Sequence, residues 1–216
     1  EPLLTAENEL VEKADLVTVT SEVLRSKWET TVKRCLTVRN ACDYEHFRKP
    51  GKSDLPAGVR RPVVGFFGGI ADWVDMDLIA YAATQRKEWS FVLLGDAYTD
   101  VSPIEGLPNV FLPGRKPYEE MPAYLNRFDV CIIPFKKNRV TEAADPVKLY
   151  EYLATGKPIV ARRLPELEPF EDVVTLYGAG EDLAGALETA LREDPTPDRP
   201  ARRRALAREN TWDIRY

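Results

Sequence analysis

The chain has 216 residues, 44% hydrophobic and 30% charged, an ordinary balance for one soluble globular domain with short additions. A net charge of -5 argues against a nucleic-acid surface, and no apolar stretch approaches the ~20 residues that span a bilayer. Cys35, Cys42 and Cys131 have no metal-ligand spacing and point to a reducing, cytoplasmic setting.

The first 45 residues predict a helix over Leu3–Lys13, a strand over Asp15–Thr20, a helix opening at Ser21 and a short strand over Leu36–Val38. So few elements cannot bury their own faces, and we assign residues 1–45 to the tail of a preceding α/β domain. Three outcomes are expected for that tail: packing back on the domain, pairing with a second copy, or mobility. A polar linker over 46–61 carries the single histidine, His46, read as structural or solvated rather than catalytic.

From Pro62 short apolar runs alternate with helical patterns. The predicted strands are Val63–Phe67, Phe91–Leu94, Val110–Leu112, Val130–Pro134, Ile159–Ala161 and Val173–Leu176, mostly continuous apolar runs, as in strands buried on both faces. Between them fall helices over Met76–Lys87, Tyr118–Arg127, Pro146–Thr155 and Asp182–Arg192. This alternation predicts an α/β fold with a Rossmann-like parallel sheet and helices on both faces over residues 62–193, with ligands at the carboxyl ends of the strands. Residues 194–216 read as a proline-containing spacer, Asp194–Pro200, and a terminal helix, Ala201–Glu209. Its arginines at 202, 203, 204 and 208 are expected on a solvated face.

The segment from Asp145 to Pro158 carries the most chemistry. Asp145 is a suitable N-cap, Pro146 a favoured first helical residue, and Gly156 a left-handed terminator. The helix start offers unpaired N–H groups and about half a positive charge to a phosphate. Lys148 and Glu151 share one helical face: the cation suits a pyrophosphate, the carboxylate a pair of ribose hydroxyls. The competing reading is a surface ion pair worth well under ~1 kcal/mol. Gly68-Gly69, Gly95-Asp96 and Gly114-Arg115-Lys116 each follow a predicted strand, so three glycine turns would line one sheet edge. Asp75-Met76-Asp77 has the form of a metal-binding D-x-D but opens a helix, so Asp75 is read as a cap and no metal is expected.

The run Lys148–Ala161, KLYEYLATGKPIVA, resembles the signature of family-4 and related glycosyltransferases with two Rossmann-like domains, the GT-B fold. Glu151 matches the glutamate that opens that family's E-A-M-A-x-G-x-P-V run. Weaker resemblances lie in Ala14–Leu24, Val38–Phe47, Gly106–Phe135 and Thr211-Trp212, so the likeness extends over nearly the whole chain. It implies the carboxy-terminal, donor-binding half of such an enzyme, preceded by a remnant of the amino-terminal domain. The reaction implied is retaining transfer of a hexosyl or related group from a nucleotide diphosphate sugar, without cofactor or essential metal. Glu151 would bind the donor ribose, Gly68, Gly69 and Ile70 would lie beside the diphosphate, and Gly114, Arg115 and Lys116 would lie near the base. Pro134, Val147, Lys148 and Leu149 complete the donor set, and no catalytic group is identified.

The implied acceptor is a glycan or a lipid-linked molecule reached through the amino-terminal domain. That places a full-length enzyme in the cytoplasm, at the inner membrane face for surface-polysaccharide assembly; these residues alone are expected to transfer nothing. Two positions depart from the family. The loop Gly68–Asp75 lacks the usual arginine and lysine, and Ala143 stands where a second glutamate is usual, with Glu142 one residue away. The alternative is therefore a degenerate, non-catalytic nucleotide-sugar-binding module. A nucleotide-sugar 2-epimerase would need more histidines, and a receiver or dehydrogenase would need an acidic cluster or a phosphate-loop glycine spacing that the chain lacks.

Overall fold

The computed structural model describes residues 2–51, 53–178, 182–193 and 198–215. In chain order the elements are α1 (Pro2–Lys13), β1 (Val17–Val19), α2 (Glu22–Trp28), β2 (Cys35–Thr37), α3 (Tyr44–Phe47), β3 (Val63–Phe67), α4 (Met76–Gln85) and β4 (Ser90–Leu94). They continue with β5 (Val110–Phe111), α5 (Met121–Arg127), β6 (Val130–Ile133), α6 (Arg139–Glu142), α7 (Val147–Thr155), β7 (Ile159–Arg162), β8 (Thr175–Tyr177), α8 (Leu183–Glu193), α9 (Asp198–Glu209) and α10 (Trp212–Arg215).

Six strands form one parallel sheet in the order β5-β4-β3-β6-β7-β8. The order reverses between β3 and β6, which opens a crevice at their carboxyl ends. The runs Val130–Ile133 and Ser90–Leu94 are buried throughout, as continuous apolar strands covered on both faces must be. Helices α4 and α8 pack together on one side; α3, α5, α7 and α9 form the other layer. This is the expected Rossmann-like architecture. No helix among the described residues is long and apolar enough to cross a membrane.

Several local expectations need correction. The last strand is Thr175–Tyr177 rather than Val173–Leu176, because the N–H groups of Val173 and Val174 both bond to the Phe170 carbonyl and close a turn. Helix α7 starts at Val147 with Pro146 as cap residue, so Asp145 does not cap it; its carboxylate is held by Asn40 and Tyr150 instead. Helix α9 already includes Asp198, Arg199 and Pro200, since proline is tolerated in a first turn; residues 194–197 of the expected spacer lie outside the described residues. Its arginines are not all on a solvated face: Arg203 is 1% exposed and its Nε donates to the Val173 carbonyl at 2.8 Å. Arg204 packs against Gly156, and Arg208 lies over the Tyr44 ring.

The amino-terminal segment makes a separate two-stranded parallel sheet, Val17 opposite Cys35 through Val19 opposite Thr37. It packs back on the larger unit. The Glu22 N–H donates to Glu166 at 2.8 Å, and Arg39 pairs with the same buried carboxylate at 2.5 Å. The expected linker is not free of core either, since Phe47 is buried and Leu55 and Val59 pack against the main cluster.

Candidate functional site

The three glycine turns lie side by side beyond the strand ends. The Gly68 N–H donates to the Leu94 carbonyl at 2.9 Å, and the Gly95 N–H to the Gly114 carbonyl at 3.1 Å. At Gly95 the backbone has φ +151°, and a Cβ there would lie 2.0 Å from the Gly68 carbonyl oxygen, so only glycine allows this approach. The resulting cleft, ≈ 390 Å³, is lined by Gly68 and Gly69, by Arg115 and Lys116, and by Phe67, Asp96, Tyr98 and Tyr118. Two of the expected groups thus meet in one cleft.

Helix α7 closes the crevice from the β6 side. The Tyr152 hydroxyl accepts from the Phe67 N–H at 3.1 Å, tying the helix to the end of β3. Gly156 ends it at φ +74°, in the expected left-handed conformation. Lys148 Nζ lies 5.3 Å from the Phe66 ring centroid and 5.5 Å from that of Phe135. It also reaches Gly68, where a Cβ would come within 2.8 Å of Nζ. A lysine from α7 therefore stands where the glycine turn leaves room, with no hydrogen-bond or ion-pair partner of its own among the described residues.

Glu151 is 7% exposed and accepts no hydrogen bond from the described residues. Burial pushes its carboxyl up to about 7, partly opposed by Lys148. Burial likewise holds the Lys148 amine below the usual lysine range, partly opposed by Glu151. Burial thus displaces both groups toward neutrality, and each only partly restores the other's charge. Glu151 is within electrostatic reach of Tyr118, which lines the glycine cleft, and of Cys42, which lines a second cleft of ≈ 460 Å³ with Asp43, Arg208 and Trp212.

The remaining expected donor residues are placed as backbone or core. Ile70 and Leu149 are fully buried, and Ile70 bonds to the Asp96 carbonyl through its N–H. The Pro134 carbonyl accepts from the Asp75 N–H, and Val147, 37% exposed, opens α7. Asp75 caps α4 by accepting from the Leu78 N–H at 3.1 Å. His46 stacks on Tyr118 with centroids 4.4 Å apart, which gives it a structural place beside the cleft. The sequence reading missed Tyr98, Tyr118 and Phe67 as cleft residues. The signal available was position: each lies within four residues of a glycine turn that had been identified.

A model of the family described as glycosyl transferases group 1 matches residues 61–193. The putative teichuronic acid biosynthesis glycosyltransferase TuaH of Bacillus subtilis (strain 168) is 32% identical over 228 residues, covering 98% of this chain. The chain spans 57% of that relative's length. Among solved structures, Anabaena Alr3699/HepE in complex with UDP and glucose superposes with a TM-score of 0.72 at 18% identity, over 96% of this chain and 62% of that one. Sucrose-phosphate synthase from Thermosynechococcus elongatus gives 0.67 at 20% identity, over 98% and 58%. The pneumococcal O-GlcNAc transferase GtfA in complex with UDP and GlcNAc gives 0.68 at 14% identity, over 100% and 46%. At such identities the structural likeness establishes the fold, a Rossmann-like unit of the GT-B type. The match over residues 61–193, a parallel sheet that reverses beside its glycine turns, and the α7 signature together make this chain a member of the glycosyl transferases group 1 family.

Proposed function

We propose that this chain binds the nucleotide of a nucleotide diphosphate sugar in the crevice between β3 and β6, as the donor half of a retaining glycosyltransferase. The observation that carries the reading is Glu151: a carboxylate 7% exposed and without a hydrogen-bond donor, beside an unpaired lysine at a topological switch point. Two ribose hydroxyls supply the donors it lacks, and a diphosphate supplies the charge that Lys148 lacks. The α7 start adds N–H donors for the phosphates. In transfer, these fixed groups stabilise negative charge growing on the leaving diphosphate, and no metal is required by that chemistry.

Arg115, Lys116 and Tyr118 line the glycine cleft and are suited to stack on and read a base. The structures of HepE and GtfA hold UDP, which makes uridine the first base to try. The name of TuaH suggests a glycan acceptor in surface-polysaccharide assembly. For these 216 residues by themselves we expect donor binding without turnover. A thermal-shift panel of UDP, GDP, ADP and TDP with their sugars tests the assignment. A ligand selective for the folded state raises stability by ~2.7 kcal/mol at a hundredfold excess over Kd. One base family should raise the midpoint and the others should not; a flat panel would overturn the assignment.

A further inference from the structure

The residues that cross from the amino-terminal segment into the domain, 39–43, are gripped by two buried acids. Glu166, 2% exposed, holds Arg39 at 2.5 Å and the Glu22 N–H at 2.8 Å. Asp145, 4% exposed, makes a closer clasp. Its carboxylate accepts from the Asn40 N–H at 2.6 Å and from the Tyr150 hydroxyl at 2.9 Å, while its carbonyl accepts from Asn40 Nδ2 at 2.5 Å. Asp145 lies two residues before α7, and Tyr150 directly precedes Glu151. On the other side of the clasp, two residues past Asn40, Cys42 is within electrostatic reach of Glu151, whose carboxylate adds to burial in raising its thiol.

We propose that Asp145 is a positioning residue for the nucleotide site: by clasping Asn40 and Tyr150 together it presses the crossing segment onto α7 and fixes the Glu151 carboxylate for its ligand. The inference rests on the reading of Glu151 as the ribose ligand. Glu151 on a helix surface alone would be open to water; the crossing segment leads into α3, which packs on α7, and brings Cys42 within electrostatic reach of Glu151, while the buried carboxylate of Asp145 holds that segment with charge-assisted bonds. A second consequence is coupling. Whatever moves the crossing segment, including anything attached to residues 2–38, alters the donor site, and by linkage the nucleotide alters the segment.

The groups within electrostatic reach of Glu151 are Lys148 and Tyr152 from its own helix, Cys42 from the crossing segment, and Tyr118 from the loop before α5. None is altered by Asp145→Asn, so a change in the Glu151 titration reports its surroundings. The test uses carbon-13 NMR of labelled glutamate carboxyls in the 216-residue chain, with Glu151→Gln assigning the resonance, alongside calorimetric titration of UDP. The control is Asp129→Asn, which removes the carboxylate holding the Val63 N–H at the opposite end of β3. We expect Asp145→Asn to lower the Glu151 midpoint by at least one pH unit, toward the ordinary glutamate value, and to weaken UDP by about tenfold. Asn40→Ala, which removes only the Nδ2 bond, should do the same to a smaller degree and serves if Asp145→Asn does not fold. Asp129→Asn should lower stability and leave both readouts in place. An unmoved midpoint in Asp145→Asn and Asn40→Ala, or an equal shift in Asp129→Asn, overturns the proposal. A moved midpoint with UDP affinity indifferent to Asp145→Asn and Glu151→Gln alike shows that the ribose reading has failed, and the positioning role falls with it.

Discussion

Strands β3, β4, β6 and β7 each have a neighbour on both sides, whereas β1 and β2 have only each other. The difference shows in the side chains. Val63, Val64, Phe66 and the whole of β6 are closed from solvent, while Leu4, Leu10, Leu16, Val23 and Leu36 stay exposed at 38–72%. Residues 2–38 bury few large apolar groups, Val19 and Trp28 among them, and are held to the larger unit through Glu166 and Asp145. The larger unit is thus closed by packing, and the smaller one is attached by a few buried polar contacts. The donor site proposed above would draw on both, with the packed sheet beneath it and the tethered crossing segment beside it.

Breaking the packed floor should have the largest effect. Gly95→Ala places a methyl 2.0 Å from the Gly68 carbonyl at a backbone angle that side chains rarely adopt. We expect a loss above ~3 kcal/mol in urea denaturation, with nucleotide binding abolished. Gly106→Ala, also at positive φ but with nothing within 4 Å, should cost only about 1 kcal/mol. Equal costs at the two positions would mean that the close approach of the glycine turns is not a constraint.

Glu151 gives the next largest effect, with opposite sign. Its carboxyl titrates near 7 when folded, above the ordinary glutamate range, so its contribution to stability is fully present below about 4.5 and is lost as pH rises through 7. At ~1.4 kcal/mol per pH unit, Glu151→Gln should be more stable than the parent by up to about 3 kcal/mol at pH 8 and no different at pH 4. A Gln variant less stable at pH 8 would mean that Glu151 serves the fold rather than a ligand.

The tether comes third. Glu166→Gln should raise hydrogen exchange in β1 and β2 by about ten- to a hundredfold, the loss of ~1.5–3 kcal/mol of charge-assisted bonding, and leave β3, β4 and β6 protected. Uniform loosening would show the two regions to be one cooperative unit. The smallest effect belongs to the exposed face of the segment: Leu10→Ser, at a residue 72% exposed, should stay within ~0.5 kcal/mol by the same denaturation.

Legibility in the sequence followed the same division. Continuous apolar runs placed β3 and β6 to within a residue, because a strand buried on both faces leaves an unambiguous pattern. The glycine turns and the shared face of Lys148 and Glu151 were legible because spacing alone determines them. The tethers were not. Asp145 reads locally as a cap, and only its distant partner Asn40, with Tyr150 five residues on, reveals another use. Arg203 reads as a solvated helix residue until the Val173 carbonyl claims it. The four-residue helices α3 and α6 carry too few turns for any periodicity, and α6 is instead fixed by the capping box of Asn138 and Thr141. Contacts between distant residues leave no local pattern, and the crossing segment is held by such contacts.

The central claim is that Glu151 carries nucleotide affinity. Calorimetric titration of UDP into the parent chain and into Glu151→Ala at pH 8, where the carboxyl is ionised, tests it most directly. Loss of hydrogen bonds to a charged acceptor, ~1.5–3 kcal/mol, predicts roughly ten- to hundredfold weaker binding in the variant. Unchanged UDP affinity, with circular dichroism showing an intact fold, would contradict the ribose assignment and the placement of the donor site in this crevice.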